Sequence, residues 1–193
     1  MLCPLWSFAQ WTDDFSTNLN NWFGDSSFYE IDSNQLLHLN APPVASSTFL
    51  WHPSEALFNG VWQFYVRMDF NPSGSNYSLV HLSSDENNNG YFVKIGGAED
   101  AISLHRNTNG DVTKIIGGTE GALNTDSVKV LVKVMRDSLG NWELLGAPFP
   151  SGNYTSQVTA FDNTHIISER FGIQCTYTQT RSDTFYFDYI TVS

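Results

Sequence analysis

The chain has 193 residues, enough for one large core and too few for two ordinary α/β domains. Its formal net charge of -11 and pI near 4.6 exclude nucleic acid and anionic membrane surfaces as natural partners, because both select clustered Lys and Arg. Only 15% of the residues are charged and 15% are aromatic, while Asn, Ser, Thr and Gly crowd the intervals between apolar runs, as in β-rich extracellular modules.

The first nine residues, MLCPLWSFA, are apolar and uncharged, and they end on Ser7-Phe8-Ala9, with small residues at the two positions a signal peptidase reads. Residues 1–9 are therefore expected to be the remnant of a signal peptide. Residues 10–193 are then one mature domain, secreted or displayed at a cell surface, with no membrane insertion. Cys3 falls in the remnant, which leaves Cys175 with no internal disulfide partner.

QWTDDFS, from Gln10 to Ser16, reads as the first strand, and FYEI and LLHL flank a turn at Asp32-Ser-Asn-Gln35. In the run 61–70, Trp62, Phe64, Val66, Met68 and Phe70 alternate with Gln63, Tyr65, Arg67 and Asp69, so one face is core and the other wet. Val128, Val130, Val132 and Val134 form another inward row, with Lys129 and Lys133 outward. Phe171, Ile173, Cys175 and Tyr177 form a third, which makes Cys175 a small core hydrophobe rather than a nucleophile. FYFDYITV closes the chain as a last strand. Asn71-Pro-Ser-Gly, Asp85-Glu-Asn-Asn-Asn-Gly90, Thr108-Asn-Gly-Asp111 and Ser138-Leu-Gly-Asn141 punctuate these runs as hairpin connections. No stretch holds an apolar stripe at helical spacing. The fold class is all-β, a two-sheet antiparallel jelly-roll sandwich of about a dozen strands. Because the sequence stops right after a strand, it is expected to be part of a longer protein cut at a domain border, with following domains of the same polypeptide as partners.

The run WQFYVRMDFNPSGSNYSLVHLSSDENNNGYFVKIGG, with ISLHRN, TKIIGGTEG, VLVKVMRDSLGNWELL, FGIQCTYTQTRSD and FYFDYITV, resembles the N-terminal β-sandwich domains of large secreted bacterial surface proteins. Those domains are often followed by lamin-tail or immunoglobulin-like domains and belong to the concanavalin A-like, laminin G-like jelly-roll group. The resemblance covers nearly the whole chain after Gln10. It implies a fold and a secreted setting and carries over no catalytic residue.

In that group the first and last strands commonly lie side by side, which would bring Asp13 and Asp14 close to Asp188. Adjacent carboxylates repel unless a cation lies between them or they point into water. A structural calcium held by Asp14 and Asp188 is accordingly the one cofactor to test, with outward-facing, solvated carboxylates as its alternative. Glu30-Ile31-Asp32-Ser33-Asn34 begins like the Glu-x-Asp-x-Glu strand of laminarinase-type glycosidases. Its last position is Asn34, which cannot act as general acid/base, and the turn at Asp32 spoils the strand.

Hairpin adjacency of the strands around 61–70, 78–84, 90–95 and 101–106 would place Tyr65, Arg67, His81, Phe92, Lys94 and His105 on one outward face. Rings beside polar donors suit a saccharide, whose C–H faces stack while its hydroxyls need directed hydrogen bonds. Trp11, Trp22, Trp51, Trp62 and Trp142 read as core. The function expected is a non-catalytic adhesion or carbohydrate-binding module of a larger secreted or surface protein, with a glycan or surface polysaccharide as partner. The alternatives are a structural spacer domain and a diverged glycoside hydrolase of the jelly-roll type.

Overall fold

A computed structural model describes residues 10–193, so the leader expected at residues 1–9, with Cys3, lies outside the described residues. Alternation of apolar and polar residues, broken by Gly and Asn turns, gives fifteen strands. In chain order they are β1 (Trp11–Asp13), β2 (Phe23–Gly24), β3 (Tyr29–Ile31), β4 (Leu37–Leu39), β5 (Ser46–Pro53), β6 (Val61–Met68), β7 (Tyr77–Ser84), β8 (Gly90–Gly96), β9 (Ala101–Thr108), β10 (Asp111–Gly117), β11 (Val128–Arg136), β12 (Asn141–Pro148), β13 (Thr155–Phe161), β14 (Arg170–Tyr177) and β15 (Phe185–Val192). The described residues contain two short 3-10 turns and no α-helix.

Two antiparallel sheets result. One runs β13-β12-β11-β6-β15-β4-β3, with β1 added beside β15; the other runs β10-β9-β8-β7-β14-β5-β2. This is the jelly-roll sandwich expected. The inward rows meet between the sheets: Trp62, Phe64, Val66 and the valines of β11 on one side face Phe171, Ile173, Cys175, Val93 and Leu104 on the other, all buried. Cys175 is fully buried, takes a hydrogen bond from the Tyr29 hydroxyl at 3.7 Å, and has its thiol pushed up to about 12 by desolvation.

The terminal strands pair as expected, Trp11 opposite Val192 and Asp13 opposite Ile190. On its same side β15 first meets β4 and then β1, while β6 runs along its other side. A bulge between Asp188 and Thr191, with Tyr189 at φ 52°, lets the strand make that change of partner.

One connection differs from the sequence reading. The segment after β6 is not a hairpin, because both edges of β6 are already taken by β11 and β15, and the chain crosses to the opposite sheet where β7 joins β14 and β8. A crossing and a hairpin carry the same turn chemistry and the same inward alternation, but they send the outward residues to opposite surfaces.

Candidate functional site

The crossing divides the six residues expected on one face. Tyr65 and Arg67 lie on the outside of the eight-stranded sheet, while His81, Phe92, Lys94 and His105 lie together on the outside of the seven-stranded sheet. Tyr65 is only 4% exposed, tucked under Phe149 at 4.6 Å and beside Tyr189 at 6.3 Å between ring centroids. Arg67 is committed locally: its guanidinium grips Asp69 with bonds of 2.8 and 2.5 Å and lies 4.1 Å over the Tyr186 ring. Neither belongs to a platform with the other four.

The four that remain are part of a larger array. Strand register places one residue from each strand of the seven-stranded sheet in a single transverse row: Phe23, Trp51, Gly172, His81, Phe92, His105 and Lys114. A parallel row contains Phe49, Gln174, Leu79, Lys94 and Ser103. Successive rings touch: Phe23 stacks on Trp51 at 4.8 Å, Phe49 meets His81 at 5.1 Å, His81 meets Phe92 at 5.5 Å, and Phe92 stacks on His105 at 5.2 Å. Phe49 reaches His81 across β14 because Gly172 has no side chain, and a Cβ there would sit 2.6 Å from the Phe49 ring. Each such pair contributes about 0.5–1.5 kcal/mol beyond burial.

Polar groups are fixed along this ladder. His81 Nε2 donates to Gln174 Oε1 at 3.2 Å, and Gln174 Nε2 donates to Ser47 Oγ at 3.1 Å. His105 Nε2 pairs with Ser103 Oγ at 2.8 Å, while the buried Nδ1 of His105 has no partner among the described residues. Burial in this apolar stack pulls both imidazoles down to about 4, His105 further disfavoured as a cation by Lys94 and Lys114. Both rings are therefore neutral at physiological pH. His81, Phe92 and His105 are a buried floor, and Trp51, Phe49, Gln174 and Lys94 rise beside them half-buried, with Phe23 45% exposed at the edge. Arg170 lies 4.6 Å over Trp51 and Lys94 lies 4.3 Å over Tyr77, so cations border a face in a chain of net charge -11.

Trp51 corrects the reading that puts Trp11, Trp22, Trp51, Trp62 and Trp142 in the core. Trp22, Trp62 and Trp142 are buried and Trp11 packs on Phe171, but Trp51 takes the outward phase of β5, in which Thr48 and Leu50 point inward. Gln174 and Arg170 were readable as outward partners, since they alternate with Phe171, Ile173 and Cys175.

At the seam, Asp188 is buried beside Asp13 and Asp14, and burial foremost, then those two charges, raises it to about 6. Protein donors already engage the carboxylates of the seam. Asp13 spends both oxygens on the Phe15 amide and the Trp22 indole, each at 2.8 Å. Asp14 accepts from the Ser16 amide and Asp188 from the Tyr189 amide. Two carboxylates alone supply fewer than the six to eight oxygens that calcium takes, so the rest of a shell there would have to come from carbonyls, hydroxyls or water. Among the described residues no group of three or more His, Cys, Asp or Glu is placed to hold a metal ion.

The decoy pattern at Glu30 resolves as expected into a turn, with Asp32 Oδ1 accepting from the amides of Asn34 and Leu36 at 2.8 and 3.0 Å. Glu30 pairs with His38 at 3.1 Å.

No protein-family model matches the sequence, and a search of curated proteins finds no match. Solved structures do resemble the fold. The VIP36 exoplasmic/lumenal domain in a form bound to Ca2+ and Man aligns with TM-score 0.67 and 12% identity, over 90% of this chain and 82% of that one. Lectin I-B4 from Griffonia simplicifolia, in a metal-free form, aligns with TM-score 0.66 and 10% identity over 93% and 96%. The carbohydrate-binding module CBM66 from Bacillus subtilis aligns with TM-score 0.62 and 15% identity over 90% and 95%. At these identities the likeness establishes the jelly-roll architecture that this chain shares with lectin domains and a carbohydrate-binding module.

Proposed function

We propose that this protein is a non-catalytic carbohydrate-binding module, secreted or held at a cell surface as part of a larger protein, that docks a neutral or acidic glycan on the outside of its seven-stranded sheet. The observation that carries this reading is the transverse ladder. Seven strands each contribute one residue to a row that carries five rings, the row beside it carries Gln174 and Lys94, and neutral imidazoles keep the ring row free of buried charge. Trp51 and Phe23 supply the accessible stacking surface; Gln174, Lys94 and Arg170 supply donors. Likeness to sugar-binding folds is analogy and adds support at the level of architecture alone.

An open sheet face encloses a ligand poorly, so single-site affinity is expected on the order of 0.1–1 mM, made useful by many copies on a surface. The test is a glycan array followed by calorimetry on the best hit. Trp51→Ala is expected to weaken binding at least about ten-fold, on the scale of about 1.4 kcal/mol, while the domain keeps its cooperative unfolding. Undiminished binding in the folded variant refutes the ladder as the site.

A second reading, a spacer that packs on a neighbouring domain, is favoured by one surface. Val158, Phe161, Ile166 and Ile167, on edge strand β13 and the loop after it, are each more than half exposed.

A further inference from the structure

Away from the ladder, a cleft of 510 Å³ enters the sandwich between β9 of one sheet and β11, β12 and β13 of the other, under the segment 118–127. That volume lies within the range of small-molecule sites, about 300–1,000 Å³. Its deep wall is apolar and buried: Ile102, Leu123, Val128 and Val130. Its exposed rim carries hydroxyls, from Thr119, Thr125, Ser127 and Thr155. Gln157 ties rim to wall by accepting from the Thr119 amide at 3.2 Å and donating to its own strand at the Thr155 carbonyl at 3.3 Å. The space exists partly because β12 presents Gly146 to it, where a Cβ would stand 3.0 Å from Ile102 Cδ1.

We propose that this cleft takes the alkyl chain of an uncharged amphiphile with a hydroxylated head group. The apolar wall selects the chain, since each buried methylene gains about 0.8 kcal/mol. The rim selects the head: hydroxyls pair with hydroxyls, and among the described residues no carboxylate lines the cleft to attract a cation and Lys129 is its one charged residue. The net charge of -11 works against an anionic head. The head can belong to a sugar or to glycerol, since the rim offers the same hydroxyl chemistry to both.

The experiment is a titration of the isotopically labelled full chain, followed by amide chemical shifts, with n-butyl, n-hexyl and n-octyl β-glucoside below their micelle concentrations. Shifts are expected at Ile102, Leu123, Val128, Val130 and Gly146, with affinity rising about four-fold per added methylene that enters. Gly146→Leu fills the cleft and is expected to abolish these shifts. Should that variant fail to fold, the chain-length series in the wild-type protein decides alone. A series with no length dependence, shifts confined to Trp51 and His81, or tighter binding of octanoate than of octyl glucoside overturns the proposal. Monooctanoylglycerol serves as the second arm: binding of either compound at the cleft supports the assignment, and the tighter one identifies the head.

Discussion

Asp188 sits 5% exposed in the bulge of β15 with a single partner, the Tyr189 amide at 2.7 Å. Its carboxyl is lifted from 3.8 to about 6, so the native state binds its proton more readily than the unfolded chain does. The sign follows: stability from this group is full below about pH 3.8 and is lost as pH rises through 6. Asp188→Asn keeps the acceptor and removes the charge. It is expected to raise the melting temperature by a few degrees at pH 7.5, with the gain gone at pH 4; no gain at pH 7.5 contradicts the burial argument. His81 and His105 pull in the opposite direction. With folded values of about 4 against 6.5, their contribution is full above pH 6.5 and lost as pH falls toward 4. The urea midpoint is expected to drop across that interval, and His81→Gln to remove part of the drop.

Among the elements, β14 has the most exacting role, because its Gly172 lets a ring from β5 cross over it to a ring on β7. Gly172→Ala places a methyl 2.6 Å from Phe49, and displacing that ring is expected to cost roughly 1–3 kcal/mol. The check is a denaturant titration together with the ring-current shift on His81, which should lose the part due to Phe49 and keep the part due to Phe92. An unshifted His81 resonance would mean that Phe49 does not need the gap. These elements also mark how far the sequence can be read. Alternation fixes which side of a strand is core, so the inward rows of β6, β11 and β14 and the burial of Cys175 are legible residue by residue. Strand partnership is a long-range property: nothing within 69–76 distinguishes a hairpin from a crossing, and Tyr65 and Arg67 were assigned to the wrong outer surface for that reason. The platform role of Trp51 is less legible, because an aromatic strand residue is core or platform according to the phase of its strand, and β5 sets that phase by Thr48 and Leu50.

For the molecule as a whole, the hydrophobic core between the two sheets holds the fold. Because Asp13, Asp14 and Asp188 already accept from amides and an indole, thorough chelation is expected to leave the melting temperature unchanged; a fall on adding EDTA would reveal a cation at the seam. The architecture was legible because hydrophobic period and turn chemistry agree along the whole chain, whereas the ladder depends on register between strands far apart in sequence. The seam has a mechanical consequence. β1 lies antiparallel to β15, with the Gln10 amide bonded to the Val192 carbonyl at 2.6 Å, so Gln10 and Ser193 lie at the same end of the sandwich. Tension applied through Gln10 and Ser193 loads the rungs between these strands one after another, as a zipper is opened, rather than all at once in shear. Pulling on these two residues is therefore expected to peel β1 away first, at low force, before the core is disturbed.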